Sequence, residues 1–321
     1  MLNASHTIAA ISTAQGQGGI GIVRISGNSA LKIAKKICRG VIKPRFANFH
    51  NFQDETKEIL DQGIVLFFPS PNSFTGEDVI EIQGHGGKAV IEGLLDLCIL
   101  YGAKLAQPGE FTKRAYLNNK IDLAQAESVI DVINATTLQA VKSASYSLTG
   151  KFSIKINSLL EKIIGLRVYV EACIDFPEEE IDFLEQGKVI EKLHKIIAEI
   201  DAILAVARQS ELLKNGINLV LIGQPNVGKS SLLNALAGTE KAIVTKIPGT
   251  TRDLITSQIS IKGIPINVID TAGLRETDNE VEQLGIRKTW EAIQTAHLAV
   301  LLVDITTVSY THLTLPTSHN V

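Results

Sequence analysis

The chain has 321 residues, 45% of them hydrophobic, with 31 Lys and Arg against 34 Asp and Glu for a formal net charge of −3. That length suits two or three domains, and a charge so near balance excludes a global basic footprint, so nucleic acid would have to be met by a local patch. No run approaches the ~18–20 apolar residues of a membrane span, and Met1-Leu-Asn-Ala-Ser-His6 lacks the basic-then-apolar pattern of a secretory signal. Three cysteines, Cys38, Cys98 and Cys173, lie far apart in apolar surroundings without metal-ligand spacing. They read as reduced core thiols of a cytoplasmic protein.

From Met1 to about Leu117, strands alternate with helices. Ile8–Ile11, Ile20–Ile25, Ile64–Phe68 and Val79–Ile82 read as strands, and Ala30–Cys38 and Ala89–Leu100 as helices. Two charges interrupt this apolar pattern. Arg24 sits inside a strand preceded by Gly16-Gln-Gly-Gly19. Glu81 sits inside another, after Ser73-Phe-Thr-Gly-Glu-Asp78 and before Gln83-Gly-His-Gly-Gly87. Charges within apolar strands are costly unless paired or exposed. An Arg24–Glu81 ion pair or a polar sheet face is one reading. A ligand pocket in which glycines permit close approach is the other, and the residues alone leave both open.

From about Asn118 to Leu213 the period turns helical. Leu159, Ile163, Leu166 and Val170 recur at helical spacing, as do Val189, Leu193, Ile196 and Ile200, which predicts long amphipathic helices packed on one another. Phe176-Pro177 and Glu178-Glu-Glu180 divide them into an antiparallel pair. A short polar joint, Lys214-Asn-Gly216, follows.

Gly223-Gln-Pro-Asn-Val-Gly228-Lys229-Ser230 then spells a complete phosphate-binding P-loop, between the apolar run Leu219–Ile222 and the helix-prone Ser231–Ala237. Its glycines turn consecutive backbone N–H groups toward a polyphosphate, and the helix N-terminus adds partial positive charge. Lys229 reaches the β- and γ-phosphates, and the Ser230 hydroxyl ligates Mg²⁺. Downstream come Gly249-Thr-Thr-Arg-Asp253 and, closing the run Ile264–Ile269, Asp270-Thr-Ala-Gly273. A strand-ending Asp with Gly three residues on suits a γ-phosphate sensor whose loop relaxes when that phosphate leaves. These strings in this order resemble the translation-factor-related GTPases. Ras-like enzymes place a water-orienting Gln after that Gly, but here Leu274 stands there. No arginine finger is identifiable either. Asn226 with the loop Thr245-Lys-Ile-Pro-Gly-Thr-Thr251 offers oxygens for a monovalent cation. Asn226 as a simple loop cap and Leu274 as a core residue are the plainer alternatives.

The segments Gly18-Gly-Ile-Gly-Ile-Val-Arg-Ile-Ser-Gly27, Ser73-Phe-Thr-Gly-Glu-Asp-Val-Ile-Glu81, Gln83-Gly-His-Gly-Gly87, Pro108-Gly-Glu-Phe-Thr-Lys-Arg-Ala115, Lys120-Ile-Asp-Leu-Ala-Gln-Ala-Glu127 and Ile174-Asp-Phe-Pro-Glu-Glu-Glu180 together resemble the MnmE (TrmE) family of tRNA uridine-modifying GTPases, in order, to about Thr306. The resemblance implies an α/β protein with three parts: an N-terminal α+β folate-binding and dimerisation domain (1–117), an α-helical middle domain (118–214) and a P-loop GTPase domain (215–308). It implies a K⁺-dependent cytoplasmic GTPase, a homodimer, that joins the flavoprotein MnmG in a heterotetramer and modifies the wobble uridine of tRNA. The product carries an aminomethyl or carboxymethylaminomethyl group at C5. The one-carbon unit comes from 5,10-methylene- or 5-formyl-tetrahydrofolate, and FAD and NADH belong to the partner.

Site residues follow from the same resemblance. Gly223, Asn226, Val227, Gly228, Lys229, Ser230, Ser231, Thr245, Lys246, Ile247, Pro248, Gly249, Thr250, Thr251, Asp270, Thr271, Ala272 and Gly273 bind GTP. Asn226, Thr245, Ile247 and Thr250 hold K⁺, and Ser230 and Thr251 hold Mg²⁺. Lys229 and Glu282 are catalytic, Glu282 orienting water in place of the missing Gln. Arg24, Glu81 and Lys120 contact folate. A solvated helix charge is the bland alternative for Glu282. A ribosome-assembly switch GTPase, or a folate-dependent aminomethyltransferase with an accessory nucleotide domain, would be the other functions.

After Val300-Leu-Leu-Val-Asp304 the family pattern would continue to an NKxD motif, further strands, returning helices and a cysteine motif. Val308-Ser-Tyr-Thr-His-Leu-Thr-Leu-Pro-Thr-Ser-His-Asn-Val321 stands there instead. The expectation is a truncated chain with an unmatched tail at 309–321, guanine preference resting on family analogy, and Ala299–Val303 left as an apolar edge.

Overall fold

The computed structural model describes residues 6–14, 16–175, 188–223, 227–239, 257–270, 293–294 and 296–304. It divides into two compact units, Met1–Val129 and Ile130–Val321.

The first unit is built on six strands: β1 (Ile8–Ile11), β2 (Gly18–Ser26), β3 (Asn48–Gln53), β4 (Ile59–Phe68), β5 (Val79–Gly86) and β6 (Lys104–Leu105). Their order is β3-β4-β5-β2-β1-β6, antiparallel throughout except for β1 with β6. Alternation decides which face is buried. Val23 and Ile25 of β2, Phe52 of β3, Val65 of β4, and Ile80 and Ile82 of β5 point to one side. There they meet α1 (Ala30–Cys38) and α2 (Lys88–Leu100) through Ile33, Ile37, Leu94 and Cys98. In α1 the buried positions Ala30, Ile33, Ala34 and Ile37 recur three and four apart, one face of a helix. The intervening residues Arg24, Glu81, Gln83 and His85 stand on the sheet's other side.

A short helix, α3 (Glu110–Leu117), is tied to this sheet by charge. The buried Arg114 guanidinium donates to Glu77 Oε2 at 2.9 Å, Glu110 Oε1 at 2.8 Å and the His6 carbonyl at 2.7 Å. Glu77 in turn accepts from Ser26 Oγ at 2.7 Å. A buried charge so satisfied fixes α3 in place.

Helix α4 (Leu123–Asn134) crosses the boundary between the units. In the second unit, α5 (Leu138–Leu148) opens on Thr137, whose side chain accepts the Ala140 N–H in an ordinary N-cap. Helices α6 (Lys151–Asp175) and α7 (Val189–Asn215) follow. Lys162 pairs with Glu199, and Lys192 lies 5.2 Å from the Tyr169 ring centroid. Positions seven apart on α6 thus meet positions seven apart in reverse on α7, so the two run antiparallel as the sequence predicts. The predicted core stripe is only half realised. Ile196 and Val189 are buried, but Ile163 and Leu193 are each 40% exposed, and α6 has no buried residue among those described. Two helices side by side cover only a narrow seam. Phe176-Pro177 and Glu178–Glu180 lie outside the described residues.

The unit ends in four strands, β7 (Ile217–Ile222), β8 (Ser257–Ile261), β9 (Ile264–Asp270) and β10 (Leu298–Leu301), with α8 (Lys229–Thr239) between β7 and β8. Their order is β10-β7-β9-β8; β7 is parallel to β9 and β10, and β8 forms a hairpin with β9. The near-continuous apolar run of β7 is what a strand buried on both faces requires. Leu219 and Leu221 pack on Leu232, Leu233 and Leu236 of α8, while Val220 and Ile222 face the other way toward Ile269 and Ile293. A polar cluster lies where α7 runs into β7. The Asn267 amide of β9 donates to the Asn215 carbonyl at 2.8 Å and to Asn218 Oδ1 at 3.0 Å, and accepts from Gln258 of β8 at 3.0 Å. As expected, β10 borders the described sheet, with Leu298 54% and Val303 42% exposed.

Candidate nucleotide site and a second polar site

The nucleotide site is built from the end of β7. Gly223 leaves the strand where a Cβ would lie 2.8 Å from both the Leu302 carbonyl oxygen and Val227 Cγ1, so a larger residue has no room. Gly228 turns the chain with φ of 104°, and Lys229 opens α8. The Lys229 ammonium folds back to donate to the Gly223 carbonyl at 2.8 Å. That bond ties the first residue of α8 to the end of β7, and the unpaired N–H groups of a helix N-terminus favour an anion. Ser230 and Ser231 lie in that first turn. On the neighbouring parallel strand, β9 closes at Asp270, paired with Leu221. Both strands end on the same edge of the sheet, where ligands of open α/β sheets bind.

The structure therefore brings together Gly223, Val227, Gly228, Lys229, Ser230 and Ser231, with Asp270 ending the adjacent strand. Asn226, Thr245, Lys246, Ile247, Pro248, Gly249, Thr250, Thr251, Thr271, Ala272, Gly273, Leu274 and Glu282 lie outside the described residues. No group of three or more His, Cys, Asp or Glu with metal-holding geometry occurs among the described residues. A Mg²⁺ here would use Ser230, consistent with phosphate-borne ligands completing the shell.

The second site lies on the open face of the first unit. Arg24 of β2 stands directly opposite Glu81 of β5. Its Nε and Nη2 both donate to the same oxygen, Glu81 Oε1, at 2.9 and 2.7 Å. Among the described residues, the other oxygen, Oε2, accepts only a long 3.5 Å bond from Gln83 Nε2. The pair is 31% and 16% exposed, and Phe111 of α3 lies 5.8 Å from the guanidinium. Charges so paired need no ligand for their own sake, yet one carboxylate oxygen remains able to accept from a bound donor. Lys120 is placed beyond α3, with its side-chain methylenes against Gly76 and its position on a cleft of about 480 Å³ shared with Tyr116, Asn119 and Gln125. Phe111 is not legible in the sequence as a site residue, because nothing in the string Pro108–Ala115 tells which strand its ring will cover.

Cysteine chemistry is muted at two of three positions. Burial pushes the Cys38 and Cys98 thiols up to about 12. Among the described residues, no helix is long and apolar enough to cross a membrane.

A P-loop at the end of a parallel strand, joined to helices and preceded by a separate mixed sheet, defines a multidomain P-loop nucleotide-binding protein. The family profile described as "GTP-binding protein TrmE N-terminus" matches residues 7–120, and "MnmE helical domain" matches residues 123–310, more than half of the chain. The chain belongs to the MnmE family. Among curated relatives, the tRNA modification GTPase MnmE of Chromobacterium violaceum is 54% identical over 299 residues, 93% of this chain and 66% of the relative. That of Pseudomonas syringae pv. tomato is 55% identical over 301 residues, 94% of this chain and 66% of the relative. The chain thus spans just under two thirds of the length of these relatives. Among solved structures, the G domain of the T. maritima FeoB iron transporter aligns at 33% identity over 28% of this chain and 57% of its own, with a TM-score of 0.21. A GTP-binding protein from Sulfolobus solfataricus bound to GDP aligns at 16% identity over 64% and 53%, with a TM-score of 0.22. Scores this low place no weight on either superposition.

Proposed function

We propose that this chain is the folate-site, helical and nucleotide-binding portion of a K⁺-dependent GTPase that modifies tRNA at the wobble uridine. The observation that carries the reading is the P-loop: Gly223 admitted only as glycine, Lys229 bonded back to its carbonyl, and Asp270 closing the adjacent parallel strand. In this reading the loop and Lys229 hold the phosphates of GTP, and Ser230 with Thr251 holds Mg²⁺. Asn226, Thr245, Ile247 and Thr250 ligate K⁺, which supplies the positive charge an arginine finger gives elsewhere. Glu282 orients the attacking water, and Lys246, Pro248, Gly249, Thr271, Ala272 and Gly273 line the nucleotide. Arg24, Glu81 and Lys120 hold the reduced folate. The divisions 1–117, 118–214, 215–308 and 309–321 follow the same assignment. The working form is a cytoplasmic homodimer, with the flavoprotein MnmG and its FAD and NADH completing the tRNA chemistry. Its family membership and the names of its relatives support the GTPase and tRNA parts of this reading.

The test is direct. Fluorescent mant-GDP should bind this chain, and Lys229→Ala should abolish binding; marked discrimination against mant-ADP would contradict the loss of the guanine-reading motif. GTP turnover should rise in K⁺ relative to Na⁺ at equal ionic strength. Equal rates in the two salts, with nucleotide bound, would remove the cation from the mechanism.

A further inference from the structure

His85 belongs to the Gln83–Gly87 string that neither site uses. Its ring Nδ1 lies 2.7 Å from Asp61 Oδ1, and its main-chain N–H donates to Asp61 Oδ2 at 2.8 Å. The Asp61 side chain is 9% exposed and the His85 ring 67%. Burial alone would raise the Asp61 carboxyl, but hydrogen bonds from the His85 main chain and ring, and from Gln62, hold it below its ordinary value. An ionised carboxylate only accepts hydrogen bonds, so the Nδ1 facing it carries the proton. Nε2 is left turned toward solvent, and no protein partner meets it among the described residues.

The surroundings are committed to this arrangement. A Cβ on Gly84 would lie 2.5 Å from Asp61 Oδ2, so glycine is what admits the carboxylate between the strands. Pinning β5 to β4 would need only the main-chain bond; here a buried charge also orients the ring. By strand alternation His85 shares the open face of β5 with Gln83 and Glu81, and at ~3.4 Å per residue it stands ~14 Å along the strand from Glu81. Beside it, the exposed β2 glycines Gly18 and Gly19 offer bare backbone. An elongated ligand with one end on Glu81 Oε2 would carry its far end toward the imidazole.

We propose that His85, oriented by Asp61, is the general acid–base residue of the reduced-folate site, an inference that rests on the folate reading above. As the imidazolium, His85 gives its Nε2 proton to N10 of 5,10-methylenetetrahydrofolate, keeping its Nδ1 proton on the bond to Asp61. The N10–carbon bond breaks with its electron pair going to N10, and the N5 lone pair forms the N5=CH₂ iminium. A primary amine then attacks that carbon, the C–N bond forms, the iminium π pair returns to N5, and the amine's proton passes to Nε2. One proton leaves the imidazole and one returns, with no change of oxidation level. Asp61 is the positioning residue.

The experiment uses this chain with tetrahydrofolate and, separately, ¹³C-methylene-labelled 5,10-methylenetetrahydrofolate with methylamine, the transfer followed by NMR. Wild type is expected to bind tetrahydrofolate and accelerate capture of the labelled carbon. His85→Ala should bind tetrahydrofolate within roughly threefold of wild type yet lose ~10²-fold or more in capture rate, the scale of general acid–base catalysis. Free imidazole should restore part of that rate, which it would not do for a structural pin. Asp61→Asn should lower kcat with KM unchanged. If His85→Ala does not fold, His85→Gln takes its place in the binding and capture measurements. Undiminished capture in the folded variant, or no acceleration by a wild type that binds tetrahydrofolate, overturns the proposal. Absence of tetrahydrofolate binding by wild type overturns the folate reading itself, and this role with it.

Discussion

Among single residues, Glu110 makes a measurable pH signature. Burial alone would raise its carboxyl, but the Gln107 N–H and the Arg114 guanidinium outweigh burial and hold it below the usual 4.5. A depressed folded value means the unfolded chain binds this proton more readily, so the stabilisation is present above about pH 4.5 and fades as pH falls through the folded value. Glu110→Gln should therefore lower stability by roughly 1 kcal/mol near pH 7. The gap to wild type in urea melts should close toward pH 3; a gap of constant size would refute the linkage. Residues of this kind are unevenly legible in sequence. Arg24 and Glu81 announce themselves as charges inside apolar strands, and their pairing is the plainer of the two readings the sequence allows. Arg114 announces nothing, because its partners Glu77 and the His6 carbonyl lie far away along the chain.

Elements were readable in proportion to how cleanly their apolar pattern repeats. The bounds of α1 and β1 coincide with the sequence reading, and α2 differs by one residue. Strand β3, Asn48-Phe-His-Asn-Phe-Gln53, gives no apolar period, since its two buried positions are the polar Asn48 and the apolar Phe52, while Phe49 is exposed. Strand β8 was missed for a similar reason, its Ser and Gln positions masking Ile259. The long helices were recognised but their burial overstated, because periodicity names a face without naming what covers it. The buried placement of Cys38 in α1 and Cys98 in α2, against the half-buried Cys173 on α6, makes a check at this scale. Native protein should react with a charged thiol reagent at one cysteine quickly and at three after denaturation. Rapid reaction of Cys38 or Cys98 in native protein would contradict the packing of α1 and α2 on their sheet.

At the scale of the molecule, the sequence legibly contains strands alternating with helices, a helical stretch and a P-loop in that order. The polar cluster around Asn267 lay beyond reach, because four residues from α7, β7, β8 and β9 meet there only after folding. That cluster bears on how the second unit comes apart. One amide satisfies the last turn of a 27-residue helix and cross-links three strands, so fraying of the helix and opening of the sheet are thermodynamically bound together. Native-state hydrogen exchange should find the amides of Leu212–Asn218 and those of β9 opening at a shared free energy. Asn267→Ala should uncouple them, with the helix end exchanging first. Separate opening energies in the unaltered protein would mean the two behave as independent cooperative blocks, and the amide as a local fastener only.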